Sequence, residues 1–289
     1  MFEQVEAFHR PASVREAVRL LGTGKGRARI VAGGTDLVVD SDPAVRILID
    51  ITRSGLTYIR RQGSAWAIGA ATTMAELEES RAIRSLAGGI LARAAATCGS
   101  VQIRNAATVG GNIANGSPAA DLVPPLLALD AILVLADAKG RRKLPLAEYL
   151  ARPTARAARS SLLVEVTIPA APRAKRCGWS FQKLGRTALD IALVNVAAGL
   201  GLDGAGRIEW AHLALGAVAP AAIRARAIEE SLHGRTLDEK TVAEAAERVT
   251  EAVSPISDIR ASADYRLEMS RLLTRRALVE CAAQAGRVL

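Results

Sequence analysis

Short apolar runs and a helical repeat make up the first fifty residues of the chain. Ser13 and Glu16 stand at capping-box spacing, and the apolar residues that follow recur at helical period, which predicts a helix over about 14–21. The apolar runs 28–32 and 46–51 predict two buried strands. Together these elements predict a small βαβ-like unit.

From about residue 56 the pattern changes to the alternation of half-buried strands. Thr73 and Glu76 form a second capping box, which predicts the start of another helix, and the alanine-rich stretch 82–97 predicts one long buried helix. A strand is predicted at 131–136, a hairpin turn follows it at 137–140, and a further strand is predicted at 162–168.

Residues 170–176 are polar, contain a proline and lack periodicity, so they are the best linker candidate. Beyond them the pattern indicates three strands and then three helices, which favours a separate α+β domain. The strands are expected at 178–183, 190–202 and 207–216, and the helices at about 221–231, 238–253 and 262–285.

The composition narrows the possible functions. The formal net charge is +9, from 38 Lys and Arg against 29 Asp and Glu, which could attract nucleic-acid phosphates. The charges are scattered and only 3% of residues are aromatic, so we expect no nucleic-acid role. The three cysteines, Cys98, Cys177 and Cys281, are too far apart for a metal or iron–sulfur motif, so no metal is expected on this chain.

No apolar stretch of membrane-spanning length is present, and the N-terminus is acidic where a signal peptide would be basic. We therefore expect no membrane span and a cytoplasmic location.

The first candidate site is Ala32–Leu37, whose pair Gly33–Gly34 directly follows a predicted strand. Glycine lets backbone N–H groups approach an anion closely, and successive N–H groups form a concave nest that suits a phosphate. A tight turn supported by Asp36 is the alternative for this segment taken alone.

The second candidate site is Thr108–Asn112, followed by Ser117 and Asp121. Gly110 and Gly111 are expected to expose backbone donors, and the neighbouring side chains add short hydrogen-bonding groups. An ordinary glycine-rich loop with Asp121 as a helix cap is the alternative. The two glycine segments together fit a diphosphate cofactor with one phosphate in each nest.

A third segment, FQKLGR at 181–186, contains Lys183 and Arg186, which by chemistry alone are surface charges. His9, His212 and His233 have no credible nucleophile partner, so no catalytic residue is predicted.

Four motifs in this order resemble the FAD-binding (medium) subunit of the xanthine dehydrogenase and carbon monoxide dehydrogenase family of molybdenum hydroxylases. They are AGGTDL from residue 32, TVGGNIANGSPAAD from 108, FQKLGR from 181 and SDIRASADYR from 257. The resemblance covers nearly the whole chain.

The resemblance implies an α+β fold that begins with a two-subdomain, vanillyl-alcohol-oxidase-like (PCMH-type) FAD-binding domain over 1–172. Its subdomains would span about 1–55 and 56–172. A small α+β C-terminal domain over 173–289 would follow, with a three-stranded antiparallel sheet and helices.

Position by position, the resemblance implies that the first segment holds the FAD diphosphate and that the second forms a further wall. Asp121 would bind a polar part of FAD, Cys98 and Leu163 would make apolar or backbone contacts, and Lys183 would approach from the C-terminal domain. The implied cofactor-binding residues are Ile30, Val31, Ala32, Gly33, Gly34, Thr35, Asp36, Leu37, Cys98, Thr108, Gly110, Gly111, Asn112, Ser117, Asp121, Leu163 and Lys183.

The resemblance also implies noncovalent FAD that passes electrons to an external acceptor. A molybdenum–pterin centre on a large partner subunit would oxidise the substrate, and two [2Fe–2S] clusters on a small partner subunit would relay the electrons, in a dimer of heterotrimers. The alternatives are a free-standing FAD-dependent oxidoreductase of the same superfamily and a basic protein that binds nucleic-acid phosphate.

Overall fold

The computed structural model describes residues 4–40, 42–151 and 161–289. Their contacts define two compact units that interleave along the chain. The first unit contains Met1–Glu76, Ser100–Gly116 and Asp130–Ala170, and the second contains Leu77–Gly99, Ser117–Leu129 and Ala171–Leu289. The sequence did not indicate that two internal segments of the expected FAD-binding domain pack with the second unit. The domain bounds 1–172 and 173–289 stay a prediction.

The first unit contains a three-stranded parallel sheet next to helix α1 (Val14–Thr23). The Ser13 hydroxyl accepts the N–H of Glu16, and the Glu16 carboxylate accepts the N–H of Ala12, which confirms the capping box. Ala17 and Leu21 of α1 pack with Ile49 in a buried cluster. The strands lie in the order β1–β3–β2, with β1 Ala7–His9, β2 Ala28–Val31 and β3 Ile47–Asp50. Strand β1 was not predicted.

The first unit also contains a five-stranded antiparallel sheet in the order β4–β5–β8–β6–β7. The central strand β8 is almost wholly buried, as its mainly apolar sequence predicts, although it contains Glu165 and Thr167. The strands are β4 Ile59–Gln62, β5 Ala65–Gly69, β6 Ile132–Asp137, β7 Gly140–Pro145 and β8 Leu162–Ile168. Three short helices of this unit are α5 Val101–Ala106, α6 Val109–Ala114 and α8 Leu146–Ala151.

The predicted helix over 82–97 is wrong as a single element. Helix α2 (Met74–Glu79) begins at the predicted capping box, and α3 (Arg81–Ser85) follows it. A turn of 3₁₀ helix then separates α3 from α4 (Ile90–Ala96). Ala87, Gly88 and Gly89 in this turn have φ values of 46°, 59° and 75°, a left-handed conformation that the α-helix does not contain. Helix α7 (Val123–Ala128), which was not predicted, belongs to the second unit.

The second unit contains an antiparallel sheet in the order β12–β11–β10–β9. Strand β10 is buried over its whole length, because α11 packs on it together with β9 and α7 packs on it together with β11. The elements are β9 Arg176–Leu184, β10 Val194–Leu202, β11 Ile208–Gly216, β12 Ile223–Arg224, α9 Arg226–Leu232, α10 Glu239–Arg248 and α11 Ala263–Gln284.

This architecture confirms the α+β class and corrects the expected three-stranded sheet to four strands. The additional strand β12 is only two residues long, and it occupies the start of the segment for which a helix over 221–231 was predicted. So short a strand has no periodicity of its own, and its pairing with Ala214 and Leu215 forms it.

The fourth motif, at 257–266, stabilises the second unit from inside. The buried Arg266 guanidinium donates to the Leu193 carbonyl at 2.6 Å and to Asp258 Oδ1 at 2.9 Å. The same carboxylate oxygen accepts the N–H groups of Arg260 and Ala261 at 2.9 and 3.1 Å. These hydrogen bonds lower the pKa of Asp258 from 3.8 to about 2, and the bond from the N–H of Arg260 has the largest effect.

We expect Asp258→Asn to lower the free energy of unfolding of the second unit above pH 4, and we expect this decrease to become smaller at lower pH. A carboxylate with a lowered folded-state pKa contributes stability above its unfolded pKa of 3.8 and loses it as the pH falls through about 2. Urea unfolding followed by tryptophan fluorescence at several pH values measures the difference between the two proteins. A difference that stays constant down to pH 2 would contradict the assignment.

Candidate functional site

The first glycine pair lies where β2 ends. A Cβ on Gly33 would lie 1.9 Å from the Ala106 carbonyl oxygen, so no other residue fits there without movement of the backbone. Gly34 has a φ of +70°, which side-chain-bearing residues rarely adopt. The chain then turns, with the N–H of Val38 donating to the Gly34 carbonyl at 3.0 Å. Both glycines are therefore required by the local geometry.

This turn leaves a row of backbone donors free. Within the part of the chain that the structure describes, the N–H groups from residue 33 to residue 37 donate no hydrogen bond. The turn is half-buried except at Asp36. Successive free N–H groups beside a left-handed residue make a concave site for an anion. The free N–H groups and the left-handed Gly34 are consistent with the predicted nest, and phosphate binding there stays a prediction.

The second glycine pair is part of a helix and not a loop, which corrects the prediction. Thr108 caps α6, because its hydroxyl accepts the N–H of Gly111 at 3.1 Å. The N–H of Gly110 donates to the Ala70 carbonyl at 2.8 Å, and that of Asn112 donates to the Thr108 carbonyl at 2.9 Å. The expected free donors at Gly110 and Gly111 are thus already engaged.

Gly110 and Gly111 have different roles in this helix. A Cβ on Gly110 would lie 2.7 Å from the Ala70 carbonyl oxygen, so this glycine permits close packing. Gly111 is exposed, and a Cβ there would meet only the Thr108 hydroxyl, at 2.9 Å. The surface at Gly111 is therefore open to the close approach of a ligand.

The two glycine segments meet in the first unit. Ala106, whose carbonyl faces Gly33, ends α5 two residues before Thr108. The Ala107 carbonyl accepts the N–H of Met74, and the N–H of Val109 donates to Thr72. Packing thus joins regions of the sequence that are about seventy residues apart.

Leu163 is linked to the second glycine pair through the backbone. It is buried in β8, and its neighbour Val164 accepts the N–H of Ala70 at 2.9 Å. The Ala70 carbonyl in turn accepts the N–H of Gly110. A rigid ladder therefore connects the predicted contact at Leu163 to α6.

The second unit holds a buried ion pair. The Lys183 ammonium donates to Asp121 Oδ2 and to the Thr97 carbonyl, both at 2.8 Å, and the Lys183 and Asp121 side chains are only 7% and 9% exposed. Burial raises the pKa of Asp121, and the Lys183 ammonium offsets part of this effect. Lys183 is therefore not the surface charge that its chemistry alone suggested, whereas Arg186 is partly exposed and pairs with Asp190.

Asp121 is not a helix cap. Its Oδ1 accepts a hydrogen bond from the side-chain amide of Asn195 at 3.4 Å, and the N-cap residue of α7 is Leu122, which makes no side-chain cap. Cys98 is half-buried and directly follows Thr97, whose carbonyl accepts a hydrogen bond from Lys183. Ser117 opens the turn that leads to Asp121, and its hydroxyl accepts the N–H of Ala119 at 3.3 Å.

Sequence reasoning missed Asn195. It is the single strongly polar residue in the apolar run of β10, and its exposure is 0%. A buried carboxamide in such a strand needs a polar partner, which is the signal that could have identified it. Asp121 is that partner.

An α+β protein with a free phosphate-type nest beside an open helix surface is a candidate binder of a diphosphate-containing cofactor. Similarity to known protein families identifies the class of cofactor-binding protein. The family of the FAD binding domain in molybdopterin dehydrogenase matches residues 2–171, and that of the CO dehydrogenase flavoprotein C-terminal domain matches 179–281.

Known proteins match over nearly the full length. The chain is 35% identical over 280 residues to the 6-hydroxypseudooxynicotine dehydrogenase complex subunit alpha of Paenarthrobacter nicotinovorans, covering 94% of this chain and 93% of that protein. It is 32% identical to the xanthine dehydrogenase FAD-binding subunit of Escherichia coli O157:H7, with 97% of each covered. A chain of carbon monoxide dehydrogenase from Hydrogenophaga pseudoflava superposes with a TM-score of 0.90 at 32% identity, covering 99% of this chain and 100% of that chain.

This chain therefore belongs to the family of FAD-binding flavoprotein subunits of xanthine dehydrogenase- and carbon monoxide dehydrogenase-type oxidoreductases. Its cofactor is FAD. Among the helices that the structure describes, none has the length and apolar character needed to cross a membrane.

We expect Gly33→Ala to destabilise the first unit by about 1–3 kcal/mol, because the added methyl group overlaps the Ala106 carbonyl. Gly22→Ala is the matched control, since Gly22 lies in α1 with no atom within 4 Å of a Cβ. The control should be neutral or gain up to about 1 kcal/mol, as expected for Gly→Ala in a helix. Thermal unfolding of both variants measures the two effects, and equal stability of the variants would refute the close approach.

Proposed function

We propose that this chain carries noncovalent FAD between the [2Fe–2S] clusters of a small partner subunit and an external electron acceptor. Substrate oxidation would occur at a molybdenum–pterin centre of a large partner subunit. The free nest at residues 33–37 is the observation that carries the proposal for this chain, because it supplies donors for a cofactor diphosphate. FAD, when bound, supplies the redox chemistry by accepting electrons singly and releasing them as a pair.

In the first unit, we propose that residues 30–37 bind the diphosphate through their backbone. The α6 start would contribute in a different way from that predicted, since its glycine N–H groups are engaged. Among the described residues the Thr108 hydroxyl only accepts a hydrogen bond, so its proton would be available to a ligand, and the open surface at Gly111 would let the cofactor approach. The proposed contacts of this unit are residues 30–37, Thr108, Gly110, Gly111, Asn112 and Leu163.

In the second unit, we propose that Lys183 contacts a polar part of the cofactor. An ammonium group has three N–H donors, and Lys183 uses two of them within the described part of the chain. A buried lysine with a donor to spare is suited to hold a ligand acceptor. The proposed contacts of this unit are Cys98, Ser117, Asp121 and Lys183.

The partner subunits belong to the same proposal. Relatives of this chain are described as a complex subunit, a FAD-binding subunit and a medium chain, names that denote parts of larger assemblies. We propose a heterotrimer that pairs into a dimer of heterotrimers. The cytoplasmic location and the absence of a nucleic-acid role stay predictions.

A free-standing FAD-dependent oxidoreductase is the second candidate. It would need its own substrate site, and no observation on the described residues favours one. The basic phosphate-binding alternative loses its motivation, because residues 2–171, which contain both glycine segments, match the family of an FAD binding domain.

Purified full-length chain should show the flavin absorbance band and release the flavin on denaturation, since the cofactor is held without a covalent bond. The same protein should bind a small cysteine-rich chain and a larger chain from its source cells. A colourless protein that also fails to take up added FAD would defeat the cofactor part of the proposal. Rapid oxidation of an organic substrate by the isolated chain would defeat the subunit part.

We expect Gly111→Val to weaken FAD binding at least about tenfold, or about 1.4 kcal/mol, because its side chain would occupy the open surface and press on the Thr108 cap. Gly22→Val is the matched control, since it adds the same side chain to an exposed helical position elsewhere in the first unit. Titration of the apoprotein with FAD measures both affinities. Unchanged affinity in Gly111→Val would remove the α6 start from the site.

A further inference from the structure

Three residues lie side by side at one end of the sheet in the second unit. Asn195 of β10 is directly opposite Lys183 of β9 and directly opposite Gly216 of β11. Lys183 and Asn195 each donate a hydrogen bond to Asp121, which lies outside the sheet. Lys183, Asn195 and Asp121 thus form a buried row of polar side chains. We call these three residues the polar row.

Gly216 makes room for this row. A Cβ on Gly216 would lie 2.2 Å from Asn195 Oδ1 and 3.2 Å from the Pro118 carbonyl oxygen. The Pro118 carbonyl also accepts the N–H of Ala217 at 2.7 Å, which attaches the turn before Asp121 to the sheet. The backbone is thus shaped so that Asn195 and Asp121 can meet.

The burial of Asn195 costs folding free energy at this position. Its side chain is fully buried, and its Oδ1 has no hydrogen-bond partner among the residues that the structure describes. An apolar residue would avoid the cost of burying that oxygen. The hydrogen bond that its side-chain amide donates to Asp121 is the interaction that can explain why asparagine stands at this position.

Each carboxylate oxygen of Asp121 accepts one hydrogen bond from the polar row. Oδ2 accepts the Lys183 ammonium and Oδ1 accepts the Asn195 amide. The carboxylate therefore faces the lysine and the asparagine. Besides its proposed contact with the cofactor, Asp121 thus has a second role, in which its carboxylate holds the Lys183 ammonium in place.

We propose that Asn195 is a positioning residue which orients Asp121 and thereby fixes the ammonium of Lys183, so that the polar row sets the reduction potential of the bound flavin. This inference rests on the proposed function, in which Lys183 contacts FAD. Reduction adds negative charge to the flavin, and a fixed positive charge nearby favours the reduced form. Asp121 and Asn195 act through the lysine.

The test is a double-mutant cycle on the flavin midpoint potential of the full-length FAD-loaded chain, measured by spectroelectrochemistry. Lys183→Met should lower the equilibrium constant for reduction about tenfold, which is about 30 mV for a two-electron couple. Asn195→Ala should lower it severalfold in the native background and leave it unchanged in the Lys183→Met background, because its effect passes through the lysine.

Thr274→Ala is the matched control. Thr274 is also fully buried in the second unit, and its hydroxyl also has no partner among the described residues. Its truncation should change stability and leave the potential unchanged. A merely structural role of Asn195 would give the same pattern as this control.

The outcomes separate the inference from the proposed function. A native chain that binds no FAD would defeat the proposed function. A potential that falls in Lys183→Met and is unmoved in Asn195→Ala would overturn the inference alone, as would equal shifts by Asn195→Ala in both backgrounds. Bound FAD with an unmoved potential in Lys183→Met would also overturn it. If Asn195→Ala does not fold, Asn195→Ser, which keeps a small polar group beside Gly216, is measured with the same criteria.

Discussion

A side chain at position 33 would overlap the Ala106 carbonyl oxygen, since a Cβ there would lie 1.9 Å from it. This close approach of two backbones joins the end of β2 to the segment that leads into α6. The free N–H groups follow Gly33 directly, and the open surface at Gly111 lies in the helix that this segment enters. A second approach of the same kind, Gly110 against Ala70, holds α6 against the β5 end of the larger sheet. Glycine is used here for closeness, and left-handed geometry is needed only at Gly34.

The two units present polar groups of different kinds. The first unit offers backbone donors, which carry only partial charges and need no counterion. The second unit offers a full charge, and burying Lys183 requires the Asp121 carboxylate beside it. The Thr97 carbonyl at the end of α4 adds a favourable partner, because cations are stabilised at helix C-termini.

The sequence pattern predicted helices and strands well where the interactions that form them lie within one short segment. The capping boxes at Ser13 and Thr73 and strand β8 agree with the structure because their interactions are local. The helix over 82–97 failed because alanine content outweighed Gly88 and Gly89 in the pattern, whereas the chain turns at those residues. The second glycine pair was taken for a loop because glycine suggests turns, yet the Thr108 cap and the packing on Ala70 hold it in a helix.

The sequence by itself determined the family, since four motifs in order resemble one class of flavoprotein subunit, and it located the two glycine segments and Lys183. Only the tertiary structure decided which N–H groups are free, because the partners of Gly110 and Val109 come from residues 70 and 72. The same is true of Asp121, whose partners at 183 and 195 are remote in sequence. Hydrogen bonds between distant segments leave no periodic trace in the chain, so a pattern can identify a polar residue without revealing what it binds.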